Sequence, residues 1–354
     1  MKLKLLLIIL IPFLSFSQEI KSKKKAEFLA LPNLGYTPET SLILGFSGFY
    51  NRVWGVENIN KISSHTFYAQ YTLKKQISFG MRSDNWFNTN KNHLKISWDY
   101  NKYPYLFYPL DDNFSDNPES YTSKFFNGLV RYERLISKNL YAGIQLESRI
   151  ENIVKIEEGK LLASKNIIGS NKFNVFGIAP TLIYDSRDNT LYPTTGDFHQ
   201  LKIRHFNKNL SNQEGFTLFD LDFRKYFTIN KYNHVLALNL AYQFSDNKNI
   251  PFQMLPRVGN EYIQRGYYEG RYRATNRLVF KSEYRLPINH RFKASVFGSI
   301  SSVNNSFGKL FTSTFHPACG IGFRYRLGNN GMHIRVDLAY GMSFSPYVNV
   351  GEAF

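Results

Sequence analysis

The chain has 354 residues, one cysteine, a formal net charge of +17 and a sequence pI near 9.6. A single thiol excludes an internal disulfide or a cysteine-rich metal site, and beyond the N-terminus no apolar run is long enough for a membrane-crossing helix. Mean hydropathy is -0.34 while 16% of residues are aromatic, a pairing that suits strands apolar only on alternate residues, with aromatic rings at the rims.

Residues 1–17 read as a cleaved signal peptide. Lys2 and Lys4 supply positive charge, Leu5 to Leu14 a short apolar core interrupted by Pro12, and Ser15 and Ser17 the small residues before a cut at Gln18. No Cys follows that cut, which excludes a lipoprotein anchor. Residues 18–27 form a short basic linker, expected on the periplasmic side, and residues 28–354 the folded part.

From there the pattern is period two. Segments of this kind start near Phe28, Leu42, Ile62, Gln76, His93, Tyr121, Asn139, Phe173, Asp197, Gly215, Tyr232, Arg271, His290, Thr314, Met332 and Pro346. In Thr217 to Arg224, Phe219, Leu221 and Phe223 oppose Asp220, Asp222 and Arg224. In Arg277 to Leu286, Leu278, Phe280, Tyr284 and Leu286 oppose Arg277, Lys281, Glu283 and Arg285. Phe323, Tyr325 and Leu327 oppose Arg324 and Arg326, and Ile334, Val336 and Leu338 oppose His333, Arg335 and Asp337. Alternate strand residues face opposite sides, so each segment has one greasy and one charged face. The pattern predicts an all-β, membrane-spanning, antiparallel up-and-down barrel of sixteen strands, an even number as bacterial barrels require. Lys and Arg alternating with apolar residues fit a polar lumen, or loops near anionic head groups, better than nucleic acid.

Connections sort by length. The stretches 101–120, 151–172, 245–270 and 302–313 are long and fall on one side, where extracellular loops belong. Ser137–Lys138, Asn230–Lys231, Pro287 to Asn289 and Gly328 to Gly331 are short and fall on the other. Cys319 sits among Pro317, Ala318 and Gly320, a context for an inert packed thiol.

Four stretches resemble the BamA/TamA (bacterial surface antigen) family of outer-membrane barrels. The most specific is 255–273, containing Arg265-Gly266-Tyr267. It resembles that family's loop between strands eleven and twelve, which folds into the lumen behind an Arg-Gly-aromatic tip. Gly266 permits a turn closed to other residues, and Arg265 offers a rigid fork of donors for carboxylates. The resemblance makes Glu283, in Ser282-Glu283-Tyr284-Arg285, the lumenal partner of that arginine. Read from residues alone, the alternative for Glu283 is a pair with neighbouring Lys281 or Arg285. The chain departs from the family in three places: Gln264 stands for an apolar residue, Ser299 for an Asp and Ser301 for a Gly. The loss of that Asp predicts one acidic partner for Arg265 instead of two. Asp185, Arg187, Asp188, Pro193 and Gly196 resemble the family's Asp-x-Arg-Asp-Asn…Pro-x-x-Gly turn and read as a structural staple. Phe354 closes the strand-like run Tyr347 to Phe354 and resembles a barrel's C-terminal assembly signal; the plainer reading is an aromatic girdle residue, and both can hold at once. Pro32 and Gly35 in the first strand, with Pro346 and Gly351 in the last, predict a weakly paired seam.

The resemblance implies a role at the outer membrane in inserting or translocating proteins, or lipid. Expected partners are outer-membrane lipid and lipopolysaccharide, client barrels or a separate periplasmic subunit, and the assembly machinery for the chain's own insertion. The family's periplasmic substrate-binding repeats have no counterpart in residues 18–27. A passive channel or structural surface barrel is the rival, and a lipid-acting enzyme comes third. His199, His205 and His333 match no HExxH or GxSxG pattern, so no catalytic residue, metal or cofactor is expected, nor a nucleic-acid partner.

Overall fold

The computed structural model describes residues 26–37, 41–55, 60–109, 117–164, 166–229, 232–327 and 331–354. The segment read as a signal peptide and most of the expected linker lie outside the described residues, as do Asn230–Lys231 and positions 328–330. The strands are β1 (Ala26–Thr37), β2 (Ser41–Val53), β3 (Ile62–Thr72), β4 (Ile77–Phe87), β5 (Asn92–Phe107), β6 (Glu119–Ser137), β7 (Leu140–Ile156) and β8 (Phe173–Asp185). They continue with β9 (Gly196–Phe206), β10 (Phe216–Thr228), β11 (Val235–Ser245), β12 (Asn276–Pro287), β13 (Phe292–Asn304), β14 (His316–Leu327), β15 (Met332–Tyr340) and β16 (Phe344–Val350). They form one 16-stranded antiparallel sheet in chain order, the expected up-and-down topology. Among the described residues no backbone ladder joins β16 to β1. The two ends of the sheet nevertheless approach: Asn51 on β2 donates to the Met332 thioether at the start of β15, 3.4 Å away.

The faces follow the alternation. Phe323 is 52% exposed while its neighbour Arg324 is 1% exposed. Phe280, Val130, Ile144, Leu146 and Val336 are exposed, and Arg285, Arg324 and Arg335 are among the largest fully buried side chains. That is the reverse of a water-soluble domain, and a contiguous apolar belt of this size needs a lipid or protein cover. Residues 108–118, 157–172, 246–275 and 305–315 join strands at one rim, and short turns such as 88–91, 138–139 and 288–291 at the other.

Three details differ from expectation. β12 begins at Asn276 rather than Arg271, because Arg273 folds into the preceding loop, bridging Arg257 and donating to the Gly270 and Phe252 carbonyls. Cys319 is exposed: its odd-numbered register with Ile321 and Phe323 turns it to the outer face, so the thiol is not packed inside. The closing strand ends at Val350, and the last four residues leave it at Gly351 (φ +95°), a left-handed conformation suited to glycine.

Candidate functional site

Residues 246–275 fold into the lumen. The loop doubles back on itself through Val258 N–H to Tyr272 O (2.9 Å), Gly270 N–H to Val258 O (2.8 Å) and Ala274 N–H to Pro256 O (3.1 Å). Its tip presses on the β15–β16 connection. Gly266 has φ +92°, and a Cβ there would lie 2.8 Å from the Gly341 nitrogen. The Gly266 N–H donates to the Tyr347 hydroxyl (3.0 Å), and its carbonyl accepts from Met342 N–H (3.0 Å). The Tyr267 hydroxyl donates to the Pro317 carbonyl (2.7 Å).

Arg265 is buried between two carboxylates. Nη2 lies 2.9 Å from Glu283 Oε2, and Nη1 bonds Asp337 Oδ2. Its guanidinium stacks 3.4 Å over the Phe297 ring, a cation–π contact strengthened by desolvation. The expectation of a single acidic partner is therefore corrected: Asp337 on β15 supplies the second carboxylate that Ser299 on β13 does not. The other two departures answer each other. Ser301 Oγ donates to Gln264 Oε1 (2.5 Å), and Gln264 Nε2 donates to the His316 carbonyl (2.7 Å). A polar residue at 264 needs a buried partner, and a serine in place of a glycine provides it.

The network extends below Arg265. Glu283 accepts from Arg285 Nε (2.9 Å) and Arg324 Nη2 (3.0 Å), so its pairing with Arg285 coexists with its pairing to Arg265. Arg324 Nη1 meets Asp337 at 2.7 Å, and Arg335 meets Glu261 of the loop at 2.8 Å. Glu352 lies 3.3 Å from Arg324 and 3.8 Å from Arg285. Burial pushes the Glu352 carboxyl up, but Arg324 and Arg285 outweigh it and hold the group below its ordinary range. Buried charges persist only when paired and hydrogen-bonded in this way.

The staple turn and the C-terminus meet the same network. Asp185 takes Arg187 through both Nε (2.8 Å) and Nη2 (3.1 Å), and Lys61 Nζ at 2.7 Å. Asp188 accepts from the backbone of Thr194 and Thr195, and Gly196 turns at φ +96° where a Cβ would lie 2.4 Å from the Ser186 carbonyl. The Pro193 carbonyl accepts from Arg285 Nη1 (3.0 Å), and the Phe354 carbonyl from Arg285 Nη2 (3.2 Å). Phe354 is buried against Tyr226, Ala237 and Ala353, so the girdle reading is corrected: this ring points into the lumen, because the chain turns inward at Gly351. Arg285 thus links the loop's acidic anchor, the staple turn and the chain end. The sequence places Arg285 and Asp337 on the charged face and offers Arg285 only as an alternative partner for Glu283; it reveals neither the staple and chain-end contacts of Arg285 nor the partner of Asp337.

At the long-connection rim, an apolar cluster packs the inward loop against the strand ends. Phe107, Phe173, Phe206 and Phe216 from strand ends pack with Leu162 and with Ile250, Phe252 and Leu255 of the inward loop.

Among the described residues, none of the histidines singled out by sequence meets a serine hydroxyl. His199 stacks on Tyr184, His205 contacts Thr217 Oγ1 and His333 the Gly331 carbonyl. An unanticipated pair stands elsewhere: His65 on β3 lies directly opposite Ser83 on β4, with Nδ1 2.9 Å from Oγ. Asn85 also donates to that Oγ (2.7 Å), and among the described residues no carboxylate hydrogen-bonds the other imidazole nitrogen. This is a cross-strand polar contact without the orienting third group of a hydrolase.

A family model for the Omp85 superfamily domain matches residues 36–351. No curated protein matches. Among solved structures, the chain is similar to BamA from Haemophilus ducreyi lacking POTRA domains 1-3, with TM-score 0.57, 13% identity, and coverage of 93% of this chain and 69% of that one. It is also similar to CdiB from Escherichia coli, with TM-score 0.59, 8% identity, and coverage of 93% of this chain and 62% of that one. At such identities the likeness is one of fold.

Proposed function

The chain belongs to the Omp85 superfamily, and from that membership we propose that it takes part in inserting or translocating proteins, or lipid, at the outer membrane. The observation that carries the proposal is the asymmetry of the sheet. Every consecutive strand pair is joined by a backbone ladder, while among the described residues β1 and β16 share none. A seam held by side-chain contacts opens at far lower cost than a ladder of backbone hydrogen bonds. Arg265, Glu283 and Asp337 hold the inward loop against the strands on one side of that seam, so the loop stays fixed while the edge moves. Client barrels, or a separate periplasmic subunit, are the partners in this reading, and residues 1–17 are the export signal.

The passive-channel reading fares worse. An open pore needs a wetted path, and the packed Phe107–Phe252 cluster fills part of the lumen at the long-connection rim with apolar side chains.

The test locks the seam. Asn51→Cys with Met332→Cys, in a Cys319→Ser background, joins β2 to β15 where they already touch. Oxidation is expected to lower the levels of other outer-membrane barrels and reduction to restore them. Unchanged levels under full crosslinking refute a moving seam. Ion conductance by the purified chain alone would instead support the channel.

A further inference from the structure

The lumen wall and Tyr262 of the inward loop border a cavity of about 600 Å³, which shares Leu129, Gln145 and Lys202 with a second of about 440 Å³. Its charged lining is set by strand register. Lys95 on β5 stands directly opposite Arg131 on β6, and like charges so placed destabilise an antiparallel pair. Lys202 from β9 and Arg82 from β4 line the same cavity.

The nearby carboxylates are committed elsewhere. Glu133 bonds His93 (2.6 Å) and Thr181 (3.1 Å) and meets Arg131 Nε at 3.2 Å. Asp84 bonds the other nitrogen of His93 (2.6 Å), and Asp220 takes Gln243 and Arg204. Lys95 Nζ stops 3.7 Å from Asp84, and Lys202 Nζ stops 3.9 Å from Asp220. Among the described residues neither ammonium group donates a hydrogen bond. Arg131 donates to Gln200 through Nη1 (2.8 Å), and the two ammonium groups are held only by these long ion pairs, so cations lining one restricted space keep unused donors. A multiply charged anion satisfies them through charge-assisted hydrogen bonds.

We propose that Lys95, Arg131 and Lys202 form a lumenal receptor for a phosphate group carried on a partly apolar molecule. A tetrahedral phosphate offers oxygens in several directions, which suits cations arriving from three strands, whereas one arginine fork would serve a carboxylate. The apolar part has a wall to rest on: Trp86, Leu129, Ile183, Phe198 and Phe354 line the same cavity. The volume lies within the range of small-molecule sites, about 300–1,000 Å³. A phosphorylated lipid head group and a soluble phosphate ester share this chemistry. The site does not depend on whether the seam opens.

The experiment uses the full barrel in non-ionic detergent, with heat-induced loss of the folded gel band and isothermal titration as readouts. The probes are inorganic pyrophosphate, short-chain phosphatidic acid and, as a zwitterionic control, short-chain phosphatidylcholine. Saturable binding of either anionic probe is expected, weakened at least tenfold in Lys95→Gln/Lys202→Gln and unchanged in Lys124→Gln, on the exposed side of β6. Binding of pyrophosphate identifies a soluble phosphate, and binding of phosphatidic acid alone an amphiphile. The double variant, relieved of like-charge repulsion, should be at least as heat-resistant without ligand as the parent, which keeps a folding defect from mimicking loss of binding. Failure of both anionic probes to bind the parent, or equal binding by the double variant, overturns the proposal.

Discussion

Arg265 and Glu283 lie 2.9 Å apart inside the barrel, and neither side chain retains more than 5% exposure. Breaking a buried pair of this kind leaves an uncompensated charge, at a cost of about 3–5 kcal/mol. Arg265→Ala is therefore expected to lower the unfolding midpoint in urea and to expose residues 246–275 to protease. Arg265→Lys, which keeps the charge but loses the fork, should fall between. An unchanged midpoint and protease pattern in Arg265→Ala would show that the loop is held by its backbone contacts alone.

Gly266→Ala should loosen the same loop by a different route. The left-handed φ and the 2.8 Å approach of a Cβ to the Gly341 nitrogen force either the loop tip or the β15–β16 connection to shift. Strain at such a position costs on the order of 1–3 kcal/mol. The charge network is untouched, so the variant should keep the parent's salt dependence while gaining protease sensitivity. A parent-like digestion pattern would count against the close packing of this tip.

Much of this was legible in the chain itself, and the exceptions have physical causes. Strand starts such as Ile62, Phe173 and Met332 followed from alternation, because a lipid-facing wall tolerates few polar residues. The start of β12 did not, since Arg271 and Arg273 look like strand cations until the loop that bonds them is seen. Glu283 was readable as a partner of Arg265 through a motif. Asp337 lies 72 residues from Arg265, and alternation reveals only that it faces inward, not what it faces. The Gln264–Ser301 pair is visible only in three dimensions: read separately, each is a departure, and together they are one compensated contact. Phe354 ended a strand-like run, and the turn that sends it inward depends on the conformation of Gly351.

Glu352 gives a pH signature. Its carboxyl is held below its ordinary range in the folded chain, Arg324 and Arg285 outweighing burial. A group with a depressed folded value contributes stability above its unfolded value, roughly pH 4.3, and loses it as pH falls through the folded value. The parent should thus be more heat-resistant than Glu352→Gln at pH 7. The gap should narrow once pH drops below about 4, where the unfolded chain begins to take up the proton. A gap that is constant from pH 7 to pH 3 would mean that the glutamate acts through packing rather than charge.

The staple turn offers the sharpest separation of partners. Asp185 joins Arg187, two residues along, to Lys61, which lies 124 residues away and also rests 4.4 Å over the Trp86 ring. Burial lowers the Lys61 pKa, and Asp185 opposes that shift. Removing the carboxylate strands the lysine: Asp185→Asn is expected to cost about 3 kcal/mol. Lys61→Met alone should cost less, because Arg187 still neutralises Asp185. In the double variant, Lys61→Met should recover part of the loss caused by Asp185→Asn, since no buried ammonium group is left without its acid. Coupled residues in one network deviate from additivity by about 0.5–3 kcal/mol, and urea midpoints of the four proteins measure that deviation directly. Strict additivity would show that Asp185 serves only its own turn through Arg187. Coupling would show that it also ties the β8–β9 turn to the β2–β3 connection, bridging the short-turn rim across the six strands β3 to β8.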